Sequence, residues 1–418
     1  MKTYEVPQLA WFGPKTFPIV LPDYWKVKVC QMQGAQRKGI TREDIRAALE
    51  SPAGTAPLKV LSRGKKEVAI VFDDLTRITR VAPIAEEIIE ELNKAGVSQE
   101  NIRFICGLGM HGVMNRSDFV KKLGEKIVSN FRVYNHNPFG NCEYVGTTNT
   151  FGTKVFINEE YLKCDLKIVI GSCVPHPVAG FGGGGKLVMP GLASFETVSW
   201  HHKIGGARMD PLDICSKPPQ GMGLIENNLF QRDIDEAAKI TGIDFLINVT
   251  VNLWGDTVAI YTGDLSQVFS AVVRDARFNY RTEKTSPGDI VIANSYAKAS
   301  ESMISLAAAI PLVKKSGGDV VIIANAPEGQ VVHYLVGIFG KTTYACQYSQ
   351  CKIPEYIDRV IIFNEYPHRG SSWFEDHPKI IYRNKWESVL ALLKDKHGPG
   401  TEVILIPDAT IQYFDWYG

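Results

Sequence analysis

Histidines 111, 176, 201 and 202, Lys186 and the run Asp74-Leu-Thr76-Arg77 are the residues of this chain whose types and spacing could do chemistry. An unperturbed imidazole titrates near about 6.5 and can pass a proton either way at neutral pH. His111 follows Gly107-Leu-Gly109-Met, where glycines let a ligand approach closely. Arg77 has the planar fork that grips phosphate or carboxylate, and Asp74 can take a hydroxyl or orient that arginine. The most unusual segment runs from His176 to Lys186, with four glycines, Gly182 to Gly185, directly before the lysine. Ordering four glycines costs much backbone entropy. The expectation is a place where no side chain fits because backbone N–H groups cradle an anion or a flat ring. It is not a P-loop, since Leu187 follows the lysine where a magnesium-binding hydroxyl would stand. Neighbouring helical residues point about 100° apart, so only one of His201 and His202 should face a cleft. Histidines that converge with a lysine supply acid, base, metal ligand and anchoring amine, and imidazole ligands favour Zn, Ni, Cu or Fe. His136 reads more readily as a turn residue, between Asn135 and Asn137.

Each cluster follows an apolar run that should be a buried strand: 67–72 before Asp74, 102–106 before His111 and 166–171 before His176. Helices are expected at 40–49, opened by Thr41, at 83–95, up to Leu123 from a cap at Ser117, and at 195–202. Near-continuous apolar strands alternating with helices predict an α/β fold, with mostly parallel sheets covered on both faces. Open parallel sheets place ligands at the carboxyl ends of their strands. Residues 4–13 read as an irregular lead-in, 17–21 and 25–29 as a small strand pair, and 243–261 as antiparallel edge strands. A second α/β block follows a polar stretch at 285–289, with strands at 290–293, 319–324, 360–363 and 402–406 and helices at 302–313 and 388–393. The expected organisation is two α/β domains with an active-site cleft between them. Residues 1–280 form a cofactor-binding and catalytic domain and 281–418 a C-terminal domain, the last residues returning to the first.

Composition narrows the function classes. The 46 Lys+Arg and 45 Asp+Glu leave a net charge of +1, no electrostatic footprint for nucleic acid or an anionic membrane. No basic patch followed by an apolar run opens the chain, and no run approaches the roughly 18 apolar residues of a membrane helix. Eight cysteines without C-x-x-C spacing fit neither a zinc site nor a disulfide scaffold. A cytoplasmic enzyme or binding protein is expected. A dehydrogenase is disfavoured because the glycines do not form G-x-G-x-x-G.

Taken together, Asp74-Leu-Thr76-Arg77, Gly109-Met-His111, the segment from His176 to Gly191 and His202 resemble the nickel-dependent lactate racemase family of 2-hydroxyacid racemases and epimerases. The resemblance implies a nickel-pincer nucleotide, pyridinium-3,5-bisthiocarboxylic acid mononucleotide nickel, supplied by cofactor-biosynthesis enzymes. It also implies roles: Lys186 joins the cofactor, His202 ligates nickel, Asp74, Thr76 and Arg77 hold the ribose-phosphate end, and His111 and His176 exchange the substrate hydroxyl proton. Gly182 replaces a serine common in the family. The glutamine–lysine pair that holds substrate carboxylate in lactate-processing relatives has no match in 296–306, so Tyr296, Lys298 and Ser300 become the substrate candidates. Lactate is therefore disfavoured, and a larger 2-hydroxyacid or a sugar acid is expected; an oligomer is allowed. The competing readings are a hydrolase or lyase with a histidine-bound metal, and a noncatalytic organic-acid or nucleotide-binding protein.

Overall fold

The computed structural model describes residues 1–205, 221–335, 353–366 and 377–414; Cys215, Cys346 and Cys351 lie outside them. Two six-stranded sheets organise the chain. The first runs in the order Thr257–Gly263, Phe245–Val251, Leu166–Ser172, Val68–Phe72, Ile102–Cys106, Arg132–Asn135. Every neighbouring pair is parallel except the edge pair Phe245–Val251 with Thr257–Gly263. The second, all parallel, runs Ile380–Arg383, Ile357–Phe363, Gly318–Ile323, Ile290–Asn294, Glu402–Ile406, Lys26–Val29. This is the α/β architecture that the apolar strand runs predict.

The strands form because their side chains are apolar on both faces. All residues of Val68–Phe72, Ile102–Cys106 and Ile290–Asn294 are buried. Each Val, Ile or Phe so enclosed contributes about 1.5–3 kcal/mol relative to exposure. Helix Val81–Lys94 lays Val81, Ile84, Ala85, Ile88 and Leu92 against the first sheet, an apolar stripe at helical spacing. Helix Arg42–Glu50 opens with a capping box between Thr41 and Asp44. Helix Arg116–Leu123 starts one residue before the expected cap: Asn115, not Ser117, accepts the Asp118 amide and completes the box. The expected helix at 302–313 is a short α-helix, Ile304–Ala309, flanked by 3₁₀ turns Ala299–Glu301 and Ile310–Leu312, with Pro311 in the second.

The first thirty residues depart most from expectation. Lys2–Gln8 is a strand rather than an irregular lead-in, antiparallel to Lys15–Leu21. Lys26–Val29 does not pair with that hairpin; it adds to Glu402–Ile406 at the edge of the second sheet. Val6, Ile19, Leu21 and Trp25 pack with Ile290, Val321, Phe363 and Trp386, so the chain's start completes the second core. Its far end reaches back as well, Tyr413–Phe414 pairing with Arg281–Thr282. Within the first sheet the chain proceeds from Val68–Phe72 outward on one side, then resumes at Leu166–Ser172 on the other. That reversal opens a crevice at the carboxyl ends of the two central strands, where parallel sheets bind ligands. No helix among the described residues is long and apolar enough to cross a membrane.

Candidate active site

The crevice holds a cavity of about 120 Å³. Asp74, Thr76, Arg77, His111, His176, Lys186 and His202 all line it, so side chains up to 128 residues apart in sequence share one space. Ser172, Asn248, Glu301 and His333 join them.

The loop after Val68–Phe72 is held from beneath by a fully buried lysine. Lys122 Nζ pairs with Asp73 Oδ1 at 2.6 Å and donates to the carbonyls of Asp74 and Arg77 at 2.9 and 2.7 Å. With its backbone fixed, Asp74 presents one carboxylate oxygen to Thr76 and the other to His111 Nδ1, at 2.6 Å. Burial alone would raise the Asp74 carboxyl, but His111, Arg77 and Thr76 outweigh it and hold the group well below its usual range. The same contact acts oppositely on His111: burial disfavours the imidazolium, yet Asp74 and Glu301 overcome that and raise its pKa. Since Nδ1–H donates to Asp74, Nε2 is the nitrogen that His111 offers the cavity.

His176 is set the other way round. Its Nδ1 accepts the amides of Val178 and Ala179 at 3.2 and 3.1 Å, so the neutral ring carries its hydrogen on Nε2. Burial, then Lys186, Lys298 and Arg77, push its pKa well down. His202 Nδ1–H donates to the Val198 carbonyl one turn back, at 3.0 Å, so the neutral ring carries its lone pair on Nε2. Burial and Lys186 push its pKa down to about 3. His201 points into the core, where Nε2 meets the Phe230 carbonyl at 3.1 Å. Only one member of the doublet faces the cavity, as helical geometry requires. His136 is likewise structural, buried with Nε2 on the Ala193 carbonyl at 2.9 Å and pushed down to about 4 by burial.

The glycine run does something other than expected. The space a side chain would occupy is taken by the protein itself: a Cβ on Gly184 would lie 2.8 Å from the Phe269 ring, and one on Gly183 2.8 Å from Asn248 Oδ1. Both residues also have positive φ, +56° and +81°. The amides of Gly182 and Gly184 are spent on the Val174 carbonyl and Asn248 Oδ1 rather than left open for an anion. The run is thus a tightly packed turn that aims Lys186. Burial, Arg77 and Lys298 push the Lys186 amine down to about 7, so much of it is uncharged and nucleophilic at neutral pH.

The three substrate candidates of the second unit separate. Lys298 is buried beside the cavity and donates to the Pro175 carbonyl at 3.0 Å, bracing the residue before His176. Tyr296 and Ser300 do not reach the cavity; they line a small separate pocket with Trp11 and Glu328, and the Tyr296 hydroxyl donates to the Trp254 carbonyl at 2.9 Å. The 3₁₀ turn at Ala299–Glu301 swings Glu301 inward instead, where it meets Arg77 at 2.5 Å. Sequence reading passed over Glu301, although it shares a segment with Lys298. His333 left no signal at all: it stands in a loop and is delivered by backbone bonds, Gly112 N–H to the Val332 carbonyl and Tyr334 N–H to the Met110 carbonyl, both 2.8 Å. Its ring lies 5.2 Å from that of His111.

Among the described residues no three His, Cys, Asp or Glu side chains come together as a metal-binding group. His202 offers a single imidazole nitrogen, so a metal held there would draw its other donors from a bound organic ligand. The buried Ser172 hydroxyl at the cavity wall makes no hydrogen bond among the described residues. One imidazole, one uncharged amine and an unspent hydroxyl fit a cofactor that carries its own metal donors.

Residues 12–209 match the family model described as the lactate racemase N-terminal domain. Over 339 residues the chain is 28% identical to a lactate racemase of Thermoanaerobacterium thermosaccharolyticum, covering 79% of this chain and 76% of that one. Over 293 residues it is 26% identical to a lactate racemase of Lactiplantibacillus plantarum, covering 69% and 67%. The structure of the lactate racemase apoprotein from T. thermosaccharolyticum superposes with a TM-score of 0.73 at 20% identity, over 99% of this chain and 100% of that one. A structural-genomics target protein from Thermotoga maritima gives 0.65 at 18%, over 90% and 99%. These two likenesses establish the shared fold.

Proposed function

We propose, for a chain whose residues 12–209 belong to the lactate racemase N-terminal domain family, the racemisation or epimerisation of a 2-hydroxyacid with a nickel-pincer nucleotide. The observation that carries this reading is the gathering of His111, His176, Lys186 and His202 around one cavity at the sheet's switch point.

When bound, the cofactor supplies reversible acceptance of the substrate's Cα hydride, the step no side chain can perform. Lys186, with its amine near neutrality, is the attachment point, and His202 Nε2 the protein's ligand to the metal. Asp74, Thr76 and Arg77 form the polar end of the cavity and are assigned to the ribose-phosphate. His111 Nε2 takes the hydroxyl proton, and the imidazolium so formed is stabilised by Asp74, as a buried carboxylate stabilises a catalytic histidine elsewhere. His176 Nε2–H donates to the substrate oxygen from its own side. The proton that His111 takes is given back by the same imidazolium, while the neutral His176 holds the oxygen in place.

The test is isomerisation by cofactor-loaded protein without added NAD, using substrate deuterated at Cα. Equilibration of the two stereoisomers with the label largely kept, together with nickel and a cofactor-sized mass on Lys186, is expected. Complete washout of the label would defeat hydride return. Tight organic-acid binding without any turnover would favour a noncatalytic binding protein.

A further inference from the structure

Glu301 gives the second unit's side of the cavity a buried carboxylate that can only accept. One carboxylate oxygen, Oε2, is taken by Arg77 at 2.5 Å. The other, Oε1, stands 3.7 Å from His111 Nε2, beyond direct hydrogen-bond reach. Burial would favour its neutral form, but Arg77, His111 and Lys298 outweigh that and keep it ionised. An ionised carboxylate accepts hydrogen bonds and donates none. A substrate carboxylate is turned away from it by like charge. A substrate ammonium would meet the Arg77 guanidinium, which already pairs with this carboxylate. The group that suits Oε1 is an uncharged donor, a hydroxyl.

Resting on the reading of the site as a 2-hydroxyacid racemase or epimerase, we propose that Glu301 is a specificity residue that accepts a hydrogen bond from the substrate's C3 hydroxyl. The substrates are then 2,3-dihydroxy and longer polyhydroxy acids rather than 2-hydroxyacids with a bare alkyl carbon at C3. The placement follows from His111: with the C2 oxygen on Nε2, an oxygen on the adjacent carbon falls beside the carboxylate that flanks the same nitrogen. A methyl group there would leave a buried carboxylate oxygen facing hydrocarbon, which a site built around a hydroxyl penalises.

Glycerate and lactate differ at C3 by that one hydroxyl and make the direct probe. Kd by calorimetry on the full-length protein, with and without cofactor, and kcat/KM on the loaded enzyme should favour glycerate about tenfold or more. In Glu301→Leu the glycerate-to-lactate ratio should fall to near one. In Glu301→Gln, whose amide oxygen still accepts, it should fall less, and this variant keeps the test open if the leucine fails to fold. A wild-type ratio at or below one, or a ratio that neither substitution moves, overturns the proposal. Selective glycerate binding that depends on Glu301, without isomerisation of either acid, sustains the specificity and defeats the isomerase reading. Isomerisation of both acids without selectivity does the reverse.

Discussion

At the residue scale, the site is governed by which nitrogen each imidazole exposes. Asp74 fixes His111, two backbone amides fix His176 and the Val198 carbonyl fixes His202. Only the contact of Asp74 with His111 joins residues far apart in the chain; the amides of Val178 and Ala179 follow His176 directly, and Val198 stands one helical turn before His202. The residue that most directly holds the arrangement is Lys122, which sequence reading left as an ordinary helix position. Removing a charge from a buried pair leaves its partner uncompensated. Lys122→Met should therefore destabilise the protein by about 3–5 kcal/mol in urea unfolding, through the stranded Asp73 and two stranded carbonyls. Adding Asp73→Asn should recover part of that loss. A cost under about 1 kcal/mol, the value of an exposed pair, would show that the pair does not hold the loop.

At the element scale, the turn of Gly182 to Gly185 shows how a correct signal can carry a partly wrong reason. The glycines mark the site, yet they are required by the helix Leu265–Tyr280 behind them, whose Phe269 presses on Gly184, and by Asn248 at Gly183. Gly184→Ala combines a positive φ with a contact against an aromatic ring and should cost about 2 kcal/mol or more. Thermal unfolding checks this, and a variant as stable as the parent would return the run to the role of an open cradle. Other elements were legible because local rules suffice for them. Fully buried strands are continuous apolar runs, and Thr41 with Asp44 writes its capping box in four residues. The helix at 304–309 was less legible, since its 3₁₀ flanks depend on how Glu301 and Pro311 are packed.

Across the whole molecule, specific links join the two sheets at the site. Arg77 pairs with Glu301, and the His333 loop is laced to the His111 loop by two backbone bonds. A ligand that binds both sides should slow hydrogen exchange at the Gly112 and Tyr334 amides together, because both bonds break if the loops part. Protection of one without the other would mean that the loops do not act as one clasp.

The sequence by itself determined the α/β class, the strand ends at which chemistry collects, and seven polar side chains that line one cavity. Each of these is a local pattern: an apolar run, a residue type just after it, a fixed spacing. Only the tertiary structure decided that Tyr296 and Ser300 face elsewhere while Glu301 and His333 enter, that Lys26–Val29 completes the second sheet, and that Lys122 is a buried strut. Those outcomes depend on contacts between residues far apart in the chain, and a one-residue turn of the backbone exchanges which side chain points inward.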